Sequence, residues 1–282
     1  MTWTKTNKAF LGLCAGLLLS AGACDTAEPD DGMDPAEFRC SFGTIPGVGA
    51  RNDVFVSGTA QIYGAGGNGN FDVFSNTSVN VSGGGKIWGN AYTPDNEDIN
   101  VFNSGYIWGQ GEGDPIEVPD WIPWDDVNTI WNKRRNNNIG STAYGRDPTY
   151  YYNRKLRLYG GDYLWLPGGR YYFTQLDIAS GADLRIYGDV TIVIDGPMSV
   201  SDNAKITAYN NADILFIGAD DQPIEFSNGS RTNMRLYAPR APVMVSGNGT
   251  QFSGSIVGNT LQVSGSSLLE VTSDALHIWN PC

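Results

Sequence analysis

The chain repeats a short phrase: an apolar residue, a turn of Ser, Gly and Asn, then another apolar residue. The clearest copy is VSGNGTQFSG from Val245. Others are VSGTAQIYG from Val56, VSGGGKIWG from Val81, VFNSGYIWG from Val101, IASGADLRIYG from Ile178, VSDNAKI from Val200, FSNGSRT from Phe226 and VSGSSLLEV from Val263. Successive starts lie 25, 20, 77, 22, 26, 19 and 18 residues apart. A period near 20 is the signature of a solenoid, in which no single repeat hides its own apolar side chains and stacked repeats hide one another's. Gly and Asn accept the positive φ of a sharp corner at low cost, so the glycines make corners and the valines make core. Asn203, Asn228 and Asn248 recur at that corner, where stacked amides could form a ladder.

Between the corners, VTIVID (190–195), DILFIG (213–218), RLYAP (235–239) and SIVG (255–258) read as strands. Each inward Val or Ile contributes roughly 1.5–3 kcal/mol once buried. The expected architecture is all-β, a right-handed parallel β-helix. At about 4.8 Å per coil its rod is ~40–50 Å long. A β-sandwich also uses short strands and regular turns, but the single-corner glycine pattern fits it less well.

The 77-residue interval breaks the rhythm. Pro123 followed by WDDVNTIWNKRR reads as a short helix, with Asp125 and Asp126 at its start and Lys133, Arg134 and Arg135 at its end, the order that complements the helix dipole. TYYYNRKLRLYGGDYLWLPGGRYYF (149–173) is dense in aromatics and returns to the strand pattern. One solenoid domain over residues 41–282, with a helix- and aromatic-containing insertion at about 109–173, is the expected organisation.

The N-terminal end sets an address. Lys5 and Lys8 precede the apolar AFLGLCAGLLLSAGA (9–23), of the length of a secretory signal and short for a membrane-spanning helix. LSAGAC resembles the lipobox of bacterial lipoproteins, with Ala21 in place of the usual Leu. The resemblance implies a signal peptide over residues 1–23 and lipid attachment at Cys24, hence an exported protein of the bacterial cell envelope, at the outer membrane or the periplasmic face of the inner membrane. Residues 24–40 carry six carboxylates and no basic residue before Arg39, a composition that reads as a disordered tether. The whole chain has a formal charge of −12. Loss of Lys5 and Lys8 with the signal takes that to −14, which argues against nucleic acid as a partner. Cys40 and Cys282 remain as a pair that invites a disulfide in an exported protein, although bridging needs Cα atoms within about 7 Å and an elongated fold would hold its ends far apart.

RLYAPRAPVMVSGNGTQFSGSIVGNTLQVSGSS resembles the signature of an uncharacterised bacterial β-solenoid domain found in type IV pilus-associated (PilX-type) proteins and surface lipoproteins. Tyr237, Ala238, Pro239, Ala241, Pro242, Ser246, Gly247, Asn248, Gly249, Phe252, Gly254, Ile256 and Gly258 carry it, and the likeness extends over residues 53–276. The family's usual closing run is reduced here to Asp274 and Leu276. The resemblance implies a solenoid and an envelope setting, and it implies no reaction.

Residues with chemistry are sparse. His277 is the single histidine, so multi-histidine zinc sites are excluded and a Ser-His-Asp set would rest on that residue alone. GAGGNG (64–69) leads into a strand, not a helix N-terminus, and suits no phosphate. No catalytic, metal or cofactor site is expected. Carboxylate chemistry of the β-helix lyases and hydrolases would need Asp220 with Asp221, or Lys205 with Arg231 and Arg235 brought together on adjacent coils. One constellation recurs at a fixed place: Tyr63, Trp88, Trp108 and Tyr187 each follow Ile and precede Gly. With Ile inward, alternation sends the aromatic outward, as a platform for glycan rings or as cover for the rod. The functional expectation is a non-enzymatic, envelope-anchored lipoprotein with a structural, adhesive or pilus-associated role, meeting the membrane through its lipid and meeting envelope or pilus proteins or surface glycans. The alternative is a carbohydrate-binding or carbohydrate-active β-helix. Polymerisation through the rod ends is a third option.

Overall fold

The computed structural model describes residues 39–45, 47–67, 71–95, 98–112, 144–145, 151–152, 154–272 and 276–281. Its regularity begins at the corners. Gly83 with Gly84, Ser180 with Gly181, Asp202 with Asn203, and Asn228 with Gly229 are consecutive residues of positive φ, the requirement of a type I′ turn. The closing hydrogen bonds are present: the Gly85 N–H donates to the Ser82 carbonyl at 3.0 Å, Ala204 to Ser201 at 3.0 Å and Ser230 to Ser227 at 3.1 Å. Corners on adjacent rungs are bonded through the backbone, as from Asn203 N–H to the Asn228 carbonyl at 2.9 Å. The amide ladder does not form among the described contacts. The Asn228 side chain donates to Asp202 at 3.2 Å instead of to another corner asparagine.

Three parallel sheets run along the rod, and each coil gives one strand to each. In the first sheet, Lys155–Leu158, Gln175–Ile178, Met198–Val200, Ile224–Phe226, residues 243–245, residues 261–263, Asp53–Val56, Ser78–Val81 and Ile99–Val101 follow one another as nine rungs. Eight rung steps span about 38 Å at ~4.8 Å each. Inward side chains stack in files: Leu158, Ile178, Val200, Phe226, Val245, Val263, Val56 and Val81 lie rung over rung, and all are buried. The parallel β-solenoid expected from the glycine pattern is the fold.

The rung order departs from the sequence order. The coil of residues 48–64 stacks on the coil of residues 251–271, with Val48 beside Ile256, Val54 beside Leu261 and Ile62 beside Leu269. The chain therefore enters the stack in its interior and winds to one end at Glu112. It resumes at the opposite end, at Lys155, and climbs back to Val271 against its own first coil. The expectation that an elongated fold holds the two ends of the chain far apart does not account for this seam, which brings the first and last coils of the chain together. The strand Arg39–Ile45 pairs with Leu276–Pro281 in a separate two-stranded sheet, which contributes to a second, smaller compact unit.

The break is narrower than the insertion read at about 109–173. Tyr106–Glu112 and Tyr163–Phe173 are solenoid strands, and Lys155–Leu158 begins a complete rung. The helix expected after Pro123 lies outside the described residues, as do Cys24 and Cys282 and the side chains of Cys40 and His277. The two ends of the rod differ. At the Lys155 end, Tyr144–Gly145 and Tyr151–Tyr152 pair antiparallel with the end coil, Tyr144 beside Trp165 and Tyr151 beside Leu156, which covers the strand edge. At the other end Val101, Phe102, Tyr106 and Trp108 are exposed.

The outer surfaces of the sheets also differ. On the third sheet the outward residues Tyr172, Val193, Ile217, Tyr237 and Val257 are as buried as the core, and the first three join Ala219 in a second small cluster. That side is covered. The outer sides of the first and second sheets face solvent.

Candidate functional site

The outer side of the second sheet is where the aromatic residues collect, and its register follows from the corners. Each type I′ turn sets the first strand residue outward and the next inward. The inward file is Leu164, Leu184, Ile206, Thr232, Phe252, Leu269, Ile62, Ile87 and Ile107. The outward file beside it runs Trp165, Arg185, Thr207, then Asn233, Ser253, Glu270 and Tyr63. Trp88 and Trp108 continue it, each directly after an inward isoleucine of the last two coils.

Three of the four expected aromatics thus sit together. Tyr63, Trp88 and Trp108 occupy the last three rungs, with Trp108 64 % exposed. The Trp88 indole N–H donates to Gln61 at 3.0 Å, its ring centroid lies 5.3 Å from that of Tyr106, and the Lys86 ammonium stands 5.4 Å from its ring. Burial, with a smaller contribution from the Glu270 carboxylate, raises the Tyr63 pKa above its ordinary value.

The fourth does not join them. Tyr187 lies three residues beyond Leu184, the structural counterpart of Ile62, and Ile186 pairs with Ala208 further along the strand. The Ile-Tyr-Gly string is the same, but its phase in the strand is shifted by two residues. Tyr187 belongs instead to a second aromatic group at the opposite end of the same face. There Trp165 contacts Tyr187 with centroids 4.3 Å apart and Tyr209 at 5.3 Å, and Tyr187 stacks on Tyr209 at 4.7 Å with an interplanar angle of 10°. Arg185 lies between Tyr163 and Trp165, 4.6 and 4.9 Å from the two rings. Its Nε donates to Asp183 at 2.7 Å, and that bond raises the guanidinium pKa further. The other Asp183 oxygen accepts from Thr207 at 3.0 Å. Apart from Tyr187, these residues are not among those the sequence pattern singles out. The signal was available in YLWLPGG and TAYNN, where aromatics alternate with apolar residues, but only the register shows them to be neighbours.

The candidates for carboxylate chemistry separate. Lys205 and Arg231 stand side by side on neighbouring rungs of the second sheet. Arg235 does not join them, because it turns onto the third sheet and pairs with Asp213 through Nε at 2.9 Å. Asp220 and Asp221 form a local turn, in which the Asp221 N–H donates to Asp220 at 2.8 Å and Gln222 donates to Asp221 at 3.1 Å. Among the described residues no three His, Cys, Asp or Glu side chains converge as metal ligands. The loop that begins at Gly64 leads into the strand Asp72–Ser75.

A face of this kind stacks planar rings and bonds hydroxyls. Tryptophan and tyrosine offer π-faces, and the residues between them offer both donors and acceptors. A family model described as a domain of unknown function (DUF7305) matches residues 188–275. That segment supplies the middle rungs of the rod, up to the coil on which residues 48–64 stack. No curated protein and no solved structure matches the chain.

Proposed function

We propose that this chain is a non-enzymatic lipoprotein of the bacterial cell envelope. In this reading it is acylated at Cys24, held off the membrane by the acidic residues that precede the strand Arg39–Ile45, and adhesive through the outer side of the second sheet, which takes glycans. The observation that carries the reading is the pair of partly exposed aromatic groups on one line of that face, Trp165 with Tyr187 and Tyr209 at one end and Tyr63, Trp88 and Trp108 at the other. Core packing does not need them, because the inward file is complete without them. Among the described residues the face lacks a converging set of acids, and no cleavage of the glycan is proposed.

Binding of the full chain to a glycan array tests the reading. Recognition of a polysaccharide that weakens when Trp165→Ala or Trp88→Ala with Trp108→Ala is introduced is the expected result. An array without a bound glycan, or binding that all these variants retain, removes it. The anchor is tested separately, by metabolic labelling with a fatty-acid analogue. Label is expected on the wild type and lost with Cys24→Ala.

A second reading, contact with an envelope or pilus protein, is favoured by the open end coil, where Val101 is 39 % and Phe102 53 % exposed. Crosslinking in native envelopes, with Phe102→Glu as the control, distinguishes it.

A further inference from the structure

The stretch between the two aromatic groups carries charge of the unexpected sign. Asp and Glu outnumber Lys and Arg in this chain by 30 to 18, yet Lys205 and Arg231 are register partners on adjacent parallel rungs. Both are exposed. Neither side chain makes a hydrogen bond or ion pair among the described residues. Like charges side by side on a sheet repel each other.

The nearby acids are already engaged. Asp183, the register partner of Lys205 on its other side, has one oxygen on Arg185 and the other on Thr207. Asp202, at the preceding corner, accepts from Asn228. Glu270, two rungs beyond Arg231, accepts from Ser253 at 3.1 Å. On the far side Arg231 faces the neutral Gln251. The other cations of the face stand over aromatic rings, Arg185 over Tyr163 and Trp165 and Lys86 over Trp88. Among the described residues, one pair of cations without a partner therefore sits within a run of hydrogen-bonding residues, flanked by stacking residues.

We propose that this face binds a linear acidic polysaccharide, a chain of sugars bearing carboxylates, with an acid group held between Lys205 and Arg231. The inference rests on the glycan reading given above and adds the charge of the ligand. Six rung steps separate Trp165 from Tyr63, about 29 Å at ~4.8 Å each, so an extended oligosaccharide reaches both aromatic groups while crossing the cation pair. Single-stranded nucleic acid also combines rings with negative charge. Its phosphates, however, need a continuous line of cations, and beyond Arg231 that file runs through Gln251, Leu268 and Gln61 before it reaches the next cation, Lys86.

The test is titration calorimetry of the full chain in detergent with three probes: an oligogalacturonide long enough to span the face, the same oligomer with its carboxylates methyl-esterified, and a single-stranded oligonucleotide. The expected result is that the acidic oligomer binds about tenfold tighter than the ester, as two exposed ion pairs allow. Added salt should erase the difference. Lys205→Ala with Arg231→Ala, both exposed sites, should abolish the preference, while Lys205→Glu with Arg231→Glu should reverse it. Acid and ester binding equally to the wild type, or a preference that survives both double variants, overturns the charge assignment and leaves the glycan reading in place. No binding of either oligomer, together with an empty glycan array, overturns that reading itself. Oligonucleotide binding as tight as the acidic oligomer's makes nucleic acid the ligand and overturns the proposal.

Discussion

Alanine at Gly254 should cost far more stability than alanine at Gly181, although both glycines have positive φ. Gly181 has φ 75° and lies at a corner, where an added Cβ meets nothing within 4 Å. Its penalty is the left-handed backbone alone, about 1–2 kcal/mol, partly offset by about 0.4–1 kcal/mol from the stiffer unfolded chain. A net loss of about 1 kcal/mol is expected. Gly254 has φ 137°, a region that other residues hardly enter, which contributes about 1–3 kcal/mol. Its Cβ would also sit 2.8 Å from the Met234 carbonyl carbon, closer still to its oxygen. Met234 is the register partner on the adjacent rung, so relief requires two rungs to separate. Overpacking of that kind adds about 1–3 kcal/mol, for a total of about 2–6 kcal/mol before the same small offset from the stiffer unfolded chain. Urea denaturation followed by circular dichroism measures both variants. Equal losses at the two sites, or a smaller loss at Gly254, would refute the claim that backbones of adjacent rungs meet there.

Three further outcomes follow from particular contacts. Thr232 occupies the inward file between Ile206 and Phe252, and its buried hydroxyl lacks a hydrogen-bond partner among the described residues. Thr232→Val should stabilise the fold by about 1 kcal/mol, visible in thermal denaturation as a Tm raised by about 3 °C. Tyr159 donates its hydroxyl to Asp177, and burial first, then that bond and the carboxylate's charge, push its pKa from 10.0 up to about 12. The folded value lies above the unfolded one, so this stabilisation is whole below pH 10 and is lost as pH rises towards 12. A phenolate titration by ultraviolet difference against Tyr159→Phe should place the midpoint near 12, and Asp177→Asn should bring it down towards 10. Cys40 lies in the strand Arg39–Ile45, and Cys282 follows Leu276–Pro281, the strand that pairs with it. Peptide mapping of the non-reduced, exported protein should find these two cysteines joined; two free thiols would refute it.

The turns were legible because their chemistry is local. A positive φ at Asn228 or Gly229 is visible as Asn-Gly whatever stacks on it, and the valine beside it reveals the inward file. The rung at Lys155–Leu158 was harder to read, because its corner is Tyr159-Gly160-Gly161-Asp162 and lacks the Ser and Asn of the other corners. Tyr187 was misplaced for a different reason. Its strand, Asp183–Ile194, runs through two sheets, whereas that of Tyr63 is the four-residue Gln61–Gly64, and a three-residue string does not state its distance from the corner. The seam was not legible at all. A period of about 20 says that coils stack on their neighbours, and it is silent on which coil receives the chain after a long break. The meeting of Lys205 with Arg231 needed only the coil register, while the partners of Arg235 depended on the bend that carries it to the third sheet.

The seam also decides whether the two aromatic groups lie on one face of one rod, so it carries the functional account. Asn52 and Asn259 mark it: the Asn52 side-chain N–H donates to the Asn259 side-chain oxygen at 2.9 Å, and the Asn52 backbone N–H donates to the Asn259 carbonyl at 2.7 Å. Neighbours on adjacent parallel rungs are within disulfide reach. In Asn52→Cys with Asn259→Cys, mild oxidation of the folded protein should give a 52–259 crosslink in peptide maps, with the strand signal in circular dichroism unchanged. A folded double variant whose two new thiols stay free would mean that the first coil does not rest on the last one, and the continuous face would be lost with it.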